Sequence, residues 1–365
     1  MTQLTEQAAE LLIADRAFAP APPGFVGAAI DVPAAGGVAE RTRLRHGFLA
    51  ARRARTAVVS GPPSPGLAIC LSRMSEDLEL ARPMIADPGL PVADGAGIRV
   101  GLEAGLEGGG PLGLSRRWAL AHTLAPVLAA AFANTPGAGW RSVRQAARRD
   151  LPVLAPGAPR AAWVAYAMDA PDPHGRSLRA RFRPSPPSAT SQPSVASPSS
   201  VASPSSVASP PSVASPPSVA SPPSVASPPS VAELCRHVDA LRPPVAARGH
   251  LEIDVADHLP GDDWRVPVAV VTTLLDDPQA ALDAHAATAH LAGEPRLWER
   301  AARDALTDPI LAAAARECFI AAYAAMARLG AARTLRDATA DYTERYVLRA
   351  RTPADDILDR IAAQA

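Results

Sequence analysis

The chain of 365 residues contains no lysine: all 36 of its basic residues are arginine. That absence excludes a Walker-type phosphate loop, a Schiff-base lysine and the strand lysine of a kinase. Net charge is absent too, because 36 acidic residues balance the arginines. A dedicated nucleic-acid binder normally carries a basic excess, so the balance argues against one. No stretch of about 18 apolar residues runs free of charge and proline, so no membrane span is expected. The opening MTQLTEQAAELLIADRAF has acids among its apolar positions and no basic start, which does not fit a secretory signal. Cysteine is sparse and odd in number: Cys70, Cys235 and Cys318 lie far apart with no CxxC pair. This fits a reducing cytoplasm and offers no zinc motif. A GxSxG elbow is also missing. Aromatic residues are only 4%, so a core must be built from alanine, leucine and valine.

Proline, by contrast, is plentiful at 40 residues, and much of it lies in a repeat. Between Pro193 and Ala232 the triplet Ser-Val-Ala recurs seven times, starting at Ser194, with a period of six. That period matches no helical solenoid. Each proline removes a backbone donor and biases its predecessor away from the helix. One valine per unit does not offset an ordering cost of roughly 1–2 kcal/mol per residue. Residues 184–232 are therefore expected to form a disordered or polyproline-II linker. A role as a proline-rich ligand is the alternative, although no arginine flanks the units within the array.

On either side lie residues 1–183 and 233–365. In the first part, Thr5–Asp15, Gly66–Ile85 and Leu114–Asn134 have helical periodicity, while Phe25–Val32 and Gly97–Leu102 read as strands. In the second part, His250–Val255 alternates as a strand, and a helix from Val266 breaks near Asp277-Pro278. Asp308-Pro309 and Thr352-Pro353 look like helix starts, with a cap before a proline at the first helical position. Neither part has strands enough for a complete sheet, so the two are read as one domain split by the insertion.

Two constellations bear on chemistry. His250, Glu252 and Asp254 alternate along one strand, so they either face solvent or converge on a cleft. For a strand taken alone, solvent is the default. Arg141 and Arg144 follow Asn134 and Trp140 at a helix start, where arginines three apart share a face and can grip a carboxylate or phosphate. Arg148 and Arg149 continue the series, so a solvated basic face explains the spacing equally well. The acidic pairs Asp276-Asp277 and Asp355-Asp356 sit at helix starts and read as caps. Cys318, inside an alanine-rich helix, reads as core.

Several strings together resemble a known family: RWALAHTLAPVLAAAFANTPGAGWRSVRQA from Arg117, PRAAWVAYAMDAP from Pro159, the RPPVAARGHLEIDV stretch from Arg242, and ERYVLRARTPADD from Glu344. They are similar, in the same order, to bacterial glutamate–cysteine ligases of the ergothioneine pathway. The resemblance implies an α+β fold of the glutamine-synthetase type, a curved antiparallel sheet backed by helices. It also implies ATP and Mg²⁺ as cofactors and glutamate and cysteine as substrates, joined through a γ-glutamyl phosphate. By that resemblance Arg144 and Glu252 are catalytic. Asn134, Trp140, Arg141 and His250 bind substrate or nucleotide, and Asp31 and Glu252 hold metal. The pattern is broken in places. Ala29 stands where the family has a first strand glutamate, and Asp31 where it has a second. Val58 replaces another metal-binding glutamate, Arg99 a metal-facing glutamine, and Asp254 an arginine. A catalytically inactive relative that only binds a ligand or partner is therefore the alternative expectation.

Overall fold

The computed structural model describes residues 4–19, 24–34, 41–53, 55–85, 95–148, 158–172, 175–182 and 228–364. Strand β1 (Phe25–Pro33) sets the pattern: Val26, Ala28, Ile30 and Val32 are buried on one face, while Gly27, Ala29 and Asp31 take the other. Around it pair β2 (Thr42–Arg43), β3 (Phe48–Arg53), β4 (Thr56–Ser60), β5 (Ser64–Pro65), β6 (Gly97–Leu102), β7 (Val245–Ala247) and β8 (Leu251–Asp257). The sheet order is β2-β3-β4-β1-β6-β8-β7, with β5 beside the start of β1, and every pairing is antiparallel. β7 and β8, which follow the repeat in sequence, thus complete a sheet begun before it. The fold is α+β, as expected.

One sheet face is covered by helices Leu67–Ala81, Leu114–Ala131 and Arg265–Asp276. Their buried residues include Met74, Trp118, Leu124, Leu128, Val268 and Val271, which meet the apolar faces of β1, β6 and β8. Behind them runs Pro309–Arg328, whose alanines permit close helix approach. Four aromatics, Phe132, Phe319, Tyr342 and Tyr346, form a cluster at the end of that layer. By length and composition alone Pro309–Arg328 could cross a membrane, but more than half of its apolar window is buried inside the protein. Cys70 and Cys318 are core residues, and Cys235 is half-buried.

Several local expectations change. The Leu114 helix ends at Ala131, three residues early, and accommodates Pro126 within its span. His250 lies just outside its strand, which runs on to Asp257. Asp277 and Asp308 do cap helices, accepting from the Ala280 amide and from the Ile310 and Leu311 amides. Asp276 does not; it pairs with Arg117. Asp356 is likewise bound to Arg345 and Arg351. Most of the expected 184–232 linker lies outside the described residues, but its last unit does not. Ser230 closes a capping box with Glu233 at the start of helix Val231–Ala240.

Candidate functional site

On the sheet face opposite the core helices, small residues and charges alternate. Register sets Ala29 beside Arg99 and Gly101 beside Glu252. Asp31 is fully buried there. It accepts from Arg52 at 3.0 Å, from Arg99 at 3.2 Å and from the Gly97 amide at 3.1 Å. Burial pushes its carboxyl up, and Arg99 and Arg144 offset only part of that rise. The His258 ring lies against the same segment, with Nδ1 2.8 Å from the Asp31 carbonyl.

Asp254 is the second anchor. It is 1% exposed and is gripped by Arg144 through one oxygen and by Arg148 through the other. Burial alone would raise its pKa, but Arg144, Arg148 and Arg99 hold it well below the usual carboxylate range. Arg144 also donates to the Ala256 carbonyl at 3.1 Å and to the Gly95 carbonyl at 3.3 Å. Its guanidinium lies flat against β6 at Gly97, where any Cβ would collide with it. Asp257 fixes the loop after the long helix. It accepts from the Asn134 amide at 2.8 Å, from Thr135 at 2.8 Å and from Ser142 at 3.0 Å.

The two constellations read from sequence therefore come apart. Helix Val143–Ala146 is a single turn, so Arg141 and Arg144 do not act as a pair. Arg144 faces Asp254, whereas Arg141 donates to Asp355 at 2.8 Å near the C-terminal helix. Trp140 stands beside Arg303 in a cation–π contact, and the Asn134 side chain donates to the His258 carbonyl at 2.7 Å. Asp254 does not face solvent, as an isolated strand would suggest. Glu252 accepts from Arg248 at 2.8 Å. His250 packs edge-on to Phe25 and over Gly101, where an added Cβ would stand 2.9 Å from Nε2. Burial pushes the His250 imidazole down.

Magnesium requires several oxygen ligands in near-octahedral array. Among the described residues no three His, Cys, Asp or Glu side chains come together to hold a metal. The two carboxylates expected as ligands, Asp31 and Glu252, are each engaged by arginine. The residues present do not fit that ion.

What they do form is a cationic cavity of about 440 Å³, lined by Arg52, Arg144, Arg148, Arg242 and Tyr166. Four guanidinium groups, Arg52, Arg99, Arg144 and Arg148, meet three carboxylates, Asp31, Asp254 and Asp257, and Arg242 pairs with no carboxylate among the described residues, which leaves two positive charges in excess. No acidic side chain is among the described residues lining the cavity. Tyr166 is 5% exposed, its hydroxyl has no hydrogen-bond partner among the described residues, and burial raises its pKa to about 12. One nitrogen of Arg99, Nη1, is also buried without a partner among the described residues. Such an arrangement carries the charge and the donors that suit an anion. Arg248 further lines a second cavity of about 380 Å³, next to Trp163 and Cys235.

Sequence reasoning missed Arg52, Arg242, Tyr166, Asp257 and His258. Arg52 stands in an Ala-Arg run that carries little strand preference, so its place on β3 gave no signal. The others depend on register and loop path.

The family model for glutamate–cysteine ligase family 2 matches residues 91–365. The glutamate–cysteine ligase EgtA of Mycolicibacterium smegmatis is 33% identical over 283 residues, covering 74% of this chain and 58% of that protein. The glutamate–cysteine ligase EgtA of Mycobacterium tuberculosis is 29% identical over 361 residues, covering 84% of this chain and 75% of that protein. The chain thus spans less than two thirds of the length of the first of these relatives.

Proposed function

Because this chain belongs to glutamate–cysteine ligase family 2, we propose that it joins the γ-carboxylate of glutamate to the amine of cysteine at the arginine-lined face of its sheet. In this reading the sheet is the funnel of a glutamine-synthetase-like fold, and the reaction serves ergothioneine or a related thiol in the cytoplasm. A glutamate γ-carboxylate oxygen attacks the terminal phosphorus of ATP and ADP departs. The cysteine nitrogen then attacks the acyl carbon and phosphate leaves. The single observation that carries the reading is the cationic cavity on the face opposite the core helices, within a chain of this family.

The residues take roles according to what they already hold. Arg242 pairs with no carboxylate among the described residues and offers its charge to anionic oxygens; Arg148, whose Nη1 and Nη2 are bound to Asp254, offers its Nε, and the Tyr166 hydroxyl offers a donor. The guanidinium of Arg144 is spent on Asp254, Ala256 and Gly95, so it serves as a positioning residue that sets Asp254 and, through it, Arg148. Glu252 acts with Arg248 and His250 at the neighbouring edge, and Asn134, Trp140 and Arg141 shape the loop that carries Arg144. No step is assigned to a metal ion.

One observation favours the second reading, a relative that binds without turnover: Asp31 and Glu252, the carboxylates expected to serve the chemistry, are both neutralised by arginine. Incubation of the folded chain with ATP, glutamate and cysteine, followed by mass spectrometry for γ-glutamylcysteine, separates the two. Product dependent on all three substrates supports the ligase. Its absence from a chain shown to be folded supports the binder.

A further inference from the structure

We infer that the arginine-lined cavity takes a multiply charged phosphate anion without a divalent cation, with Tyr166, Arg148 and Arg242 donating to its oxygens. The inference deepens the functional reading above, because it names the ligand class of the same site. Three observations carry it. First, the charge that magnesium would supply beside a polyphosphate is already present as guanidinium, which pairs with phosphate oxygens in a planar, directional way. Arg52 and Arg99 converge on Asp31, and Arg144 and Arg148 on Asp254, so the carboxylates present are engaged by arginine.

Second, the Tyr166 hydroxyl is buried at the cavity wall with no partner among the described residues. Buried hydroxyls nearly always have one, so an unpaired donor marks a place where an acceptor belongs. Trp163 stacks on its ring at 5.7 Å and fixes its direction. Third, the absence of acids among the described lining residues selects between anions. The ammonium group of an amino acid would find guanidinium groups and no carboxylate among the described lining residues, whereas the oxygens of a phosphate chain would find donors in Arg148, Arg242 and Tyr166. Arg242 is exposed at the rim and, among the described residues, donates to the backbone carbonyls of Asp239 and of Leu241, the latter at 2.8 Å, which leaves its charge without a carboxylate partner there.

The test is calorimetric titration of the full chain with inorganic tripolyphosphate in EDTA, then in excess magnesium, with L-glutamate titrated separately. Saturable binding is expected in EDTA and weakens with magnesium, which competes with the guanidinium groups for the same oxygens. Tyr166→Phe and Arg242→Gln should each weaken binding about tenfold, the effect of losing one hydrogen bond to a charged acceptor. Tyr166→Phe should melt no lower than the parent, because the lost hydroxyl has no partner among the described residues. Binding that requires magnesium, no binding at all, or affinity unmoved by both variants overturns the inference. So does glutamate binding in EDTA that tripolyphosphate displaces. γ-Glutamylcysteine made by a chain that binds tripolyphosphate only with magnesium overturns this inference and leaves the ligase standing. EDTA-resistant binding in a chain that makes no product does the reverse.

Discussion

Replacing Asp254 with asparagine keeps the shape of the side chain and removes its charge. Its two carboxylate oxygens are divided between Arg144 and Arg148, in a site 1% exposed. Losing one partner of a buried ion pair typically costs about 3–5 kcal/mol, because the remaining charge stays desolvated and unpaired. Asp31 and Asp257 remain nearby, and Asp257 is 3.7 Å from Arg144, so the lower end of that range is expected. In a domain of this size each kcal/mol moves the melting temperature by roughly 2–4 °C, so a fall of about 6–12 °C follows. The pH dependence has a definite sign. The folded-state pKa of Asp254 is depressed, so its contribution is complete above the unfolded value of about 4 and fades as pH falls below it. The gap between parent and Asp254→Asn should therefore be constant from pH 7 to pH 5 and close on further acidification. The variant also raises the local positive excess, so tripolyphosphate should stabilise it more than the parent; saturation at a hundred times Kd restores about 2.7 kcal/mol. Thermal and urea melts with both proteins, with and without the anion, measure all three effects. A variant within 1 kcal/mol of the parent at pH 7 refutes the reasoning about the buried pair.

His122 is half-buried against Trp118, its Nε2 shielded from solvent, and burial pushes its pKa down to about 4. Its neutral form stabilises the fold above about pH 6.5, and up to about 3 kcal/mol is lost as pH falls from there to 4. His122→Leu should flatten that part of the stability curve in pH-dependent melts, and an unchanged slope would rule the histidine out as its source. Gly97→Ala pushes a methyl into the Arg144 guanidinium; a loss of about 1–3 kcal/mol in urea titration is expected, together with weaker anion binding. Ser230→Ala removes a capping-box oxygen and should cost about 1 kcal/mol, read as faster amide exchange at the start of helix Val231–Ala240.

Much of the fold was legible where side chains alternate cleanly. Phe25–Pro33, Gly97–Leu102 and Leu251–Asp257 put branched or long apolar residues on one face, although the alternation of the last is broken where its pairing with β6 shifts register between Ile253 and Ala256. Phe48–Arg53 was not anticipated, because alanine and arginine carry little strand preference and its pairing comes from β4. The site was legible in its charges but not in its partners. Asp31, Arg99, Arg144 and Asp254 were all singled out, yet which arginine meets which acid depends on register and loop path between residues 68 apart for Asp31 and Arg99 and 110 apart for Arg144 and Asp254. The expected face shared by Arg141 and Arg144 needed a second helical turn. The chain bends away after Ala146 instead, once Ser142 and Gln145 are bound to Asp257 and the Val255 carbonyl.

The serine that begins helix Val231–Ala240 belongs to the seventh of seven Ser-Val-Ala triplets. Whichever triplet abuts Glu233 supplies the same hydroxyl at the same distance from that carboxylate. Whole six-residue units can be gained or dropped during DNA copying while the junction with the folded part reads identically. The copy number of the array is thereby uncoupled from the start of the helix, and a seam that would otherwise be a frequent casualty of expansion tolerates it by design of the unit itself.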